Sequence, residues 1–223
     1  MGAFSTGKDY TRKMHDSSLF HGGLFFSTYL RDRENLKIVD IGAMDVNGSL
    51  RQFSPPNCEY VGVDFESGPG VDVVIDDPYF LPFEDASVDV VVSSSCLEHS
   101  EFFWLVFAEM QRILKPGGLT YINAPANGWV HQYPVDCFRF YPDAGVALQN
   151  WARRQGHKTT MLESFVGNRA NDGWNDFVAV YVSDENGSRN PGARMLSNVG
   201  NYTNGRLLMG DTLVAFNDKS LFE

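Results

Sequence analysis

The sequence offers no apolar run of the roughly 20 residues that a helix needs to cross a bilayer. It also lacks any cluster of lysine and arginine, and its formal net charge is -10. A phosphate backbone would be repelled, so nucleic acid is not expected as a partner. Arg153 and Arg154 form an isolated basic pair, read as a solvated helix face. Cysteine is scarce, and Cys58, Cys96 and Cys137 share no metal-ligand spacing. An odd count without a secretion signal predicts reduced thiols and a cytoplasmic protein. Cys137 reads as a small buried hydrophobe. The opening residues lack the apolar stretch of a signal peptide. Gly2 with Thr6 does fit the myristoylation pattern, a match short enough for chance to supply. No feature fixes an oligomeric state.

What is present is a sizeable apolar fraction, 43% of 223 residues, enough for one domain with a core. Strand-like runs recur at Lys37–Ile41, 60–64, 71–75, 88–93 and 119–123. Several are nearly all apolar, as strands covered on both faces must be. Before the last of them, Phe103, Val106, Phe107, Met110, Ile113 and Leu114 fall at helical spacing, predicting a helix over 101–114. Lys115-Pro-Gly-Gly118 stops that helix and turns the chain. Strands alternating with crossovers predict an α/β fold, a parallel sheet with helices on both faces. Pro55 and Pro56 leave room for only a turn or two of helix after the first strand. A further helix is expected over 143–155, and two last strands over 159–165 and 177–182.

Three regions follow. Residues 1–35 read as a partly helical lead-in, either a lid over a site or a helix packed on the sheet edge. Residues 36–183 form the main domain. Residues 184–223, rich in Asn, Gly and Ser, read as an irregular extension on the same domain, with 207–216 as an optional strand.

The most informative segment is Ile38-Val-Asp-Ile-Gly-Ala-Met-Asp-Val-Asn-Gly48, followed by Tyr60-Val-Gly-Val-Asp64. It reads as a buried strand, a glycine-containing turn, and a second strand ending in a carboxylate. A nucleoside needs that arrangement. Glycine lets the backbone approach the ligand, and the carboxylate accepts hydrogen bonds from both ribose hydroxyls.

Further motifs follow in order: Asp77 with Leu81-Pro-Phe83, Phe83-Glu-Asp-Ala-Ser-Val-Asp-Val90, Cys96-Leu-Glu-His99 and Leu114-Lys-Pro-Gly-Gly118. With this ordered set, residues 37–125 resemble the class I S-adenosylmethionine-dependent methyltransferases, closest to the group that methylates small molecules. The resemblance implies a Rossmann-like, seven-stranded, mostly parallel sheet and S-adenosylmethionine as cofactor. It places Gly42, Ala43, Met44 and Asn47 under the methionine part, with Asp40 near its amino group or orienting the loop. It places Asp64 at the ribose with Phe65 beside it, and Asp76, Asp77 and Pro78 at the adenine. Ser93 and Ser94 would face the cofactor at the end of the fourth strand. There is one departure from the family. The usual Gly-x-Gly-x-Gly loop is replaced by Gly42-Ala-Met-Asp-Val-Asn-Gly48, which also lacks the spacing of a nicotinamide pyrophosphate turn.

Methyl transfer from a sulfonium requires the acceptor behind the methyl group and, for a hydroxyl, removal of a proton. His99, His131 and Asp136 are the candidate catalytic residues. Trp129, Tyr133 and Arg139 are the candidate acceptor-binding residues. The last five stand in the aromatic segment 127–142, and an aromatic wall with hydrogen-bonding groups suits a sugar ring. That segment resembles one in methyltransferases of glycan and surface-polysaccharide synthesis. The bland reading makes His99 a helix cap, Tyr133 core, and Arg139 a brace on Asp136. Ser93-Ser-Ser-Cys96 replaces the Asn/Asp-Pro-Pro-aromatic motif usual for nucleobase or glutamine nitrogen acceptors, which argues against amide and amino groups. The expected function is therefore O-methylation of a sugar hydroxyl, in a glycan or a deoxysugar such as rhamnose. Methylation of a quinone, lipid or aromatic metabolite is the alternative within enzymes. An inactive methyltransferase-like scaffold is the alternative outside them. No metal motif is present, and a divalent cation on His99, His131 and Asp136 is the minor alternative.

Overall fold

The computed structural model describes residues 16–46, 48–168, 174–187 and 192–216. Gly2 and the loop residue Asn47 lie outside the described residues. The chain begins with α1 (Asp16–Tyr29), β1 (Lys37–Ile41), a 3-10 turn (Leu50–Phe53), β2 (Glu59–Asp64) and β3 (Val73–Val74). It continues through β4 (Val88–Ser94), a second 3-10 turn (Leu97–His99), α2 (Phe103–Ile113), β5 (Leu114–Pro125) and α3 (Pro142–Arg154). β6 (Thr160–Gly167), β7 (Asp176–Val182), a 3-10 turn (Met195–Ser197), β8 (Tyr202–Met209) and β9 (Thr212–Phe216) complete it.

All nine strands form one sheet in the order β3-β2-β1-β4-β5-β7-β6-β8-β9. The pairs from β3 through β5 are parallel, and β7 joins β5 antiparallel. The sheet has nine strands rather than the expected seven. The extra pair is the β8–β9 hairpin, which turns over Met209 to Thr212 and extends the sheet beyond β6. The extension after 184 is thus not irregular throughout. The strand expected over 71–75 shrinks to the two residues of β3.

Alternation along the strands sorts two cores. Val39, Ile41, Val91 and Ile122 face α2 and α3, packing against Val106, Phe107, Met110 and Leu148. Ile38, Val90, Val92 and Tyr121 face the other way, packing against Phe25, Phe26 and Tyr29 of α1. Fully burying one such aromatic contributes about 1.5–3 kcal/mol. α2 forms because its apolar residues share one face. α3 is started by Pro142 with Asp143 in its first turn and ended by Arg153 and Arg154, matching the helix dipole. Arg153 is not merely solvated: it donates to the Thr159 and Glu185 carbonyls, tying the helix end to β6 and the turn after β7.

The first crossover is only the 3-10 turn at Leu50–Phe53, as Pro55 and Pro56 predict. α1 fills the vacated space. A Cβ on Gly22 would stand 2.2 Å from Leu50 Cδ2, so glycine lets this helix lie against the turn. The lead-in, from Asp16 onward, therefore packs on a sheet face instead of an edge, and none of its described residues lines the cavity described below. A buried carboxylate locks the same face. Glu163 of β6 accepts from the Tyr29 hydroxyl and from the amides of Met195 and Leu196. Burial pushes its carboxyl up, while these donors pull the other way.

Candidate active site

A cavity of about 530 Å³ opens at the carboxyl ends of β1, β2 and β4. The strand order reverses between β1 and β4, the point at which open α/β sheets bind ligands. One end is lined by Ile41, Gly42, Met44, Val63, Asp64 and Phe65, with Ile75, Pro78 and Tyr79 as its apolar wall. The other end is lined by Cys96, His99, Ser100, His131, Gln132 and Tyr133.

At the first end the loop after β1 is held by backbone. Gly42 has φ +77°, and its amide donates to the Val63 carbonyl at 2.9 Å. A Cβ there would lie 2.5 Å from the Cys96 Cβ, so Cys96 as well as any ligand demands glycine. The Asp64 carboxylate accepts from the Met44 amide at 3.1 Å and from the Glu66 amide at 3.3 Å. It is nearly buried yet faces the cavity. Phe65 stands beside it, half exposed.

Asp40 lies behind the loop, where it lines a small side recess with Ala43 and Ser94. It accepts a 2.7 Å hydrogen bond from the Tyr60 hydroxyl. Burial pushes its carboxyl up to about 7, although Tyr60 and Arg51 act to lower it. Ser94 lines the main cavity, whereas the Ser93 hydroxyl turns away and donates to the Ile41 carbonyl at 3.0 Å. Asp76 and Asp77 are exposed and outside the lining. Asp77 accepts from the Tyr79 amide at 2.8 Å, which makes it a turn cap.

At the second end, His99 Nδ1 donates to the Val135 carbonyl, since a carbonyl can only accept. Its Nε2 then lies 3.6 Å from Glu98 Oε1. Burial, the largest influence, holds the His99 imidazolium below its usual range. Glu98 is 1% exposed, and burial pushes its carboxyl up to about 8. Its backbone carbonyl accepts from the Cys137 amide, pinning the aromatic segment to the loop after β4. Cys137 itself is exposed, not buried as expected.

His131 meets His99 edge to face at 5.0 Å between centroids. Asp136 accepts from the His131 amide at 2.7 Å and from Arg139 at both oxygens. The Arg139 guanidinium, the largest influence, holds the Asp136 carboxyl far below the usual range. Arg139 also donates to the Trp129 carbonyl at 2.8 Å. Asp136 and Arg139 are therefore a brace for the segment and lie outside the cavity lining. Tyr133 lines the cavity at its mouth, 47% exposed, but Trp129 stands outside it against Trp174.

The residues present fit S-adenosylmethionine. A carboxylate at the end of β2 matches a ribose diol, and the Phe65, Ile75, Pro78 and Tyr79 wall matches an adenine ring. Residues 26–122 match the family described as methyltransferase domain. Over these residues the chain is similar to the S-adenosylmethionine-dependent methyltransferases. An uncharacterized methyltransferase of Mycolicibacterium paratuberculosis is 31% identical over 134 residues, 51% of each chain. Another, from Mycobacterium tuberculosis, is 29% identical over 159 residues, covering 64% of this chain and 60% of that one. The chain thus spans between half and three-fifths of these relatives' lengths. Among solved structures, the methyltransferase domain resembles the Burkholderia thailandensis 1,6-didemethyltoxoflavin-N1-methyltransferase, solved with its acceptor and S-adenosylhomocysteine. The TM-score is 0.61 at 15% identity, over 76% of this chain and 80% of that one. The [4+2]-cyclase SpnF also matches, with TM-score 0.55 at 12% identity over 75% and 82% of the two chains. These structures share the fold, yet one is an N-methyltransferase and the other a cyclase, so the fold alone does not set the reaction.

Glu98, Ser95, Gln132 and Val135 are site-lining or site-adjacent residues that the sequence reading did not single out. Glu98 had a signal, because it stands inside the Cys96-Leu-Glu-His99 motif. Ser95 had none; its φ of +52° is visible only in the fold.

Proposed function

We propose that this chain transfers a methyl group from S-adenosylmethionine to a hydroxyl of a hydroxyl-rich acceptor, a sugar in a glycan or a free deoxysugar. The observation that carries the proposal is one continuous cavity running from Asp64 to the imidazoles of His99 and His131. When bound, the cofactor supplies an electrophilic methyl, and the acceptor oxygen bonds to it as the carbon–sulfur bond breaks with its electron pair left on sulfur. The chain supplies the rest. Asp64 and the 42–46 loop fix one end. At the other, Gln132 offers a hydrogen-bonding amide to hydroxyls, and the exposed Tyr133 ring offers a stacking face. The hydroxyl's proton leaves at the Glu98–His99–His131 cluster, which stands at that end. The Gln132 amide and the two imidazoles at the acceptor end favour a sugar over a quinone or lipid, although the lining as a whole is mainly apolar.

The test pairs calorimetry with S-adenosylhomocysteine and a methyl-transfer screen over deoxysugars, nucleotide sugars, quinones, catechols and amines. Micromolar binding with transfer to a sugar oxygen is the expected result. Transfer to nitrogen, carbon or a catechol would replace the acceptor assignment. Absence of binding would favour the scaffold alternative.

A further inference from the structure

We propose that Glu98, His99 and His131 form a divalent-cation site at the acceptor end of the cavity, taking a transition-metal ion of the zinc or manganese type. This deepens the hydroxyl-methylation reading and rests on it. Ligand atoms from the three residues all lie within 4.8 Å of one another. Donors bound at about 2.1 Å to one ion lie roughly 3–4 Å apart. The 3.6 Å between His99 Nε2 and Glu98 Oε1 already fits. The legs to His131 are no longer than 4.8 Å.

Three independent features point to a cation. Glu98 Oε2 is buried and accepts no hydrogen bond among the described residues, a costly state that a bound cation would relieve. Both imidazoles have an outer partner of the kind that orients metal-ligating histidines. His99 Nδ1 is fixed on the Val135 carbonyl, which leaves Nε2 with its lone pair toward Glu98. His131 Nδ1 lies 3.3 Å from the Asp136 carboxylate and 3.4 Å from Arg139 Nη2; in the tautomer that donates to Asp136, Nε2 is left as its ligand atom. Finally, two imidazoles and one carboxylate form an open set, with coordination positions left for an acceptor oxygen. Asp136, the carboxylate that the sequence suggested as a ligand, serves instead as the outer partner.

The chemical consequence is specific. An acceptor hydroxyl on the cation loses its proton near neutral pH, and the proton passes to solvent at the cavity mouth. Its oxygen then attacks the methyl carbon as described above. The imidazoles act as ligands, and neither has to be the base.

Cobalt(II) reads the site directly, through visible d–d absorption as well as calorimetry. The full chain, stripped of metal, is titrated with cobalt(II) and then with competing zinc(II). One equivalent with absorption bands of a low-coordinate nitrogen–oxygen site is expected. Glu98→Gln and the half-exposed His131→Ala should each weaken binding at least tenfold, and Asp136→Asn about tenfold. The surface variant Asp143→Asn should leave it unchanged. S-adenosylhomocysteine affinity is measured on every variant to establish folding. If that ligand binds but cobalt(II) binds no better than to the Glu98→Gln/His131→Ala protein, the cation site is overturned and hydroxyl methylation stands with an imidazole as base. If a sugar is methylated undiminished in chelator, the cation is likewise dispensed with. If S-adenosylhomocysteine itself fails to bind, the methyltransferase reading falls first.

Discussion

The Asp64 carboxylate accepts a hydrogen bond from the Met44 amide, 3.1 Å away across the cavity floor. The side chain expected at the ribose therefore also shapes the loop expected under the methionine. Asp64→Ala removes both functions. It should weaken S-adenosylhomocysteine binding 10- to 100-fold, because hydrogen bonds to a charged group are each worth about 1.5–3 kcal/mol. Asp64→Asn should fall between, since it can offer one oxygen to one partner. Calorimetry decides, and unchanged affinity in the alanine variant would remove Asp64 from the ribose site.

Asp40 provides a pH prediction. Burial raises its carboxyl from 3.8 to about 7, so the folded chain holds a proton that the unfolded chain has released. The contribution of this group to stability is complete below about pH 4 and is lost as pH rises through 7. The slope is at most about 1.4 kcal/mol per pH unit. Asp40→Asn keeps an acceptor for the Tyr60 hydroxyl and cannot ionise. Urea unfolding across this window should show the slope flattened in the variant. An identical slope in both proteins would show that Asp40 does not titrate there.

Arg139 tests the brace. It joins Asp136 to the Trp129 carbonyl without lining the cavity. Arg139→Ala leaves Asp136 short of donors and loosens the segment that presents His131 and Tyr133. The acceptor KM should rise about tenfold, with S-adenosylhomocysteine affinity unchanged, since truncating one partner of a charge-assisted pair costs about 1.5–3 kcal/mol. A loss confined to cofactor affinity would place Arg139 elsewhere in the mechanism.

The clustering of the candidate cofactor residues was legible because its determinants are local. A strand, a glycine and a strand-terminal carboxylate follow one another in the chain, and the fold keeps Gly42, Met44 and Asp64 together. Asp76 and Asp77 stand outside the cavity lining, since an exposed turn and a ligand site both favour aspartate; Asp77 caps the turn at Tyr79. Ser93 misled through the period of two, which turned its side chain from the cavity while keeping Ser94 in it. The acceptor half depends on contacts between distant segments. His131 meets His99 where the Glu98 carbonyl holds the Cys137 amide and His99 Nδ1 holds the Val135 carbonyl. The β8–β9 hairpin was legible only as one optional strand over 207–216, because Asn, Gly and Ser around it read as turn chemistry.

The helix α1 precedes β1, yet it covers the face that a crossover helix between β1 and β2 would cover. Glu163 ties that same face to the segment after β7. Helix α1 and the segment from Met195 to Phe216 are therefore parts of the core. A fragment trimmed to the expected domain limits, 36–183, would keep every cavity-lining residue. It would also lay Ile38, Val90, Val92, Tyr121 and Val178 open to water as one contiguous apolar sheet surface. Such a fragment would aggregate, however complete its binding site.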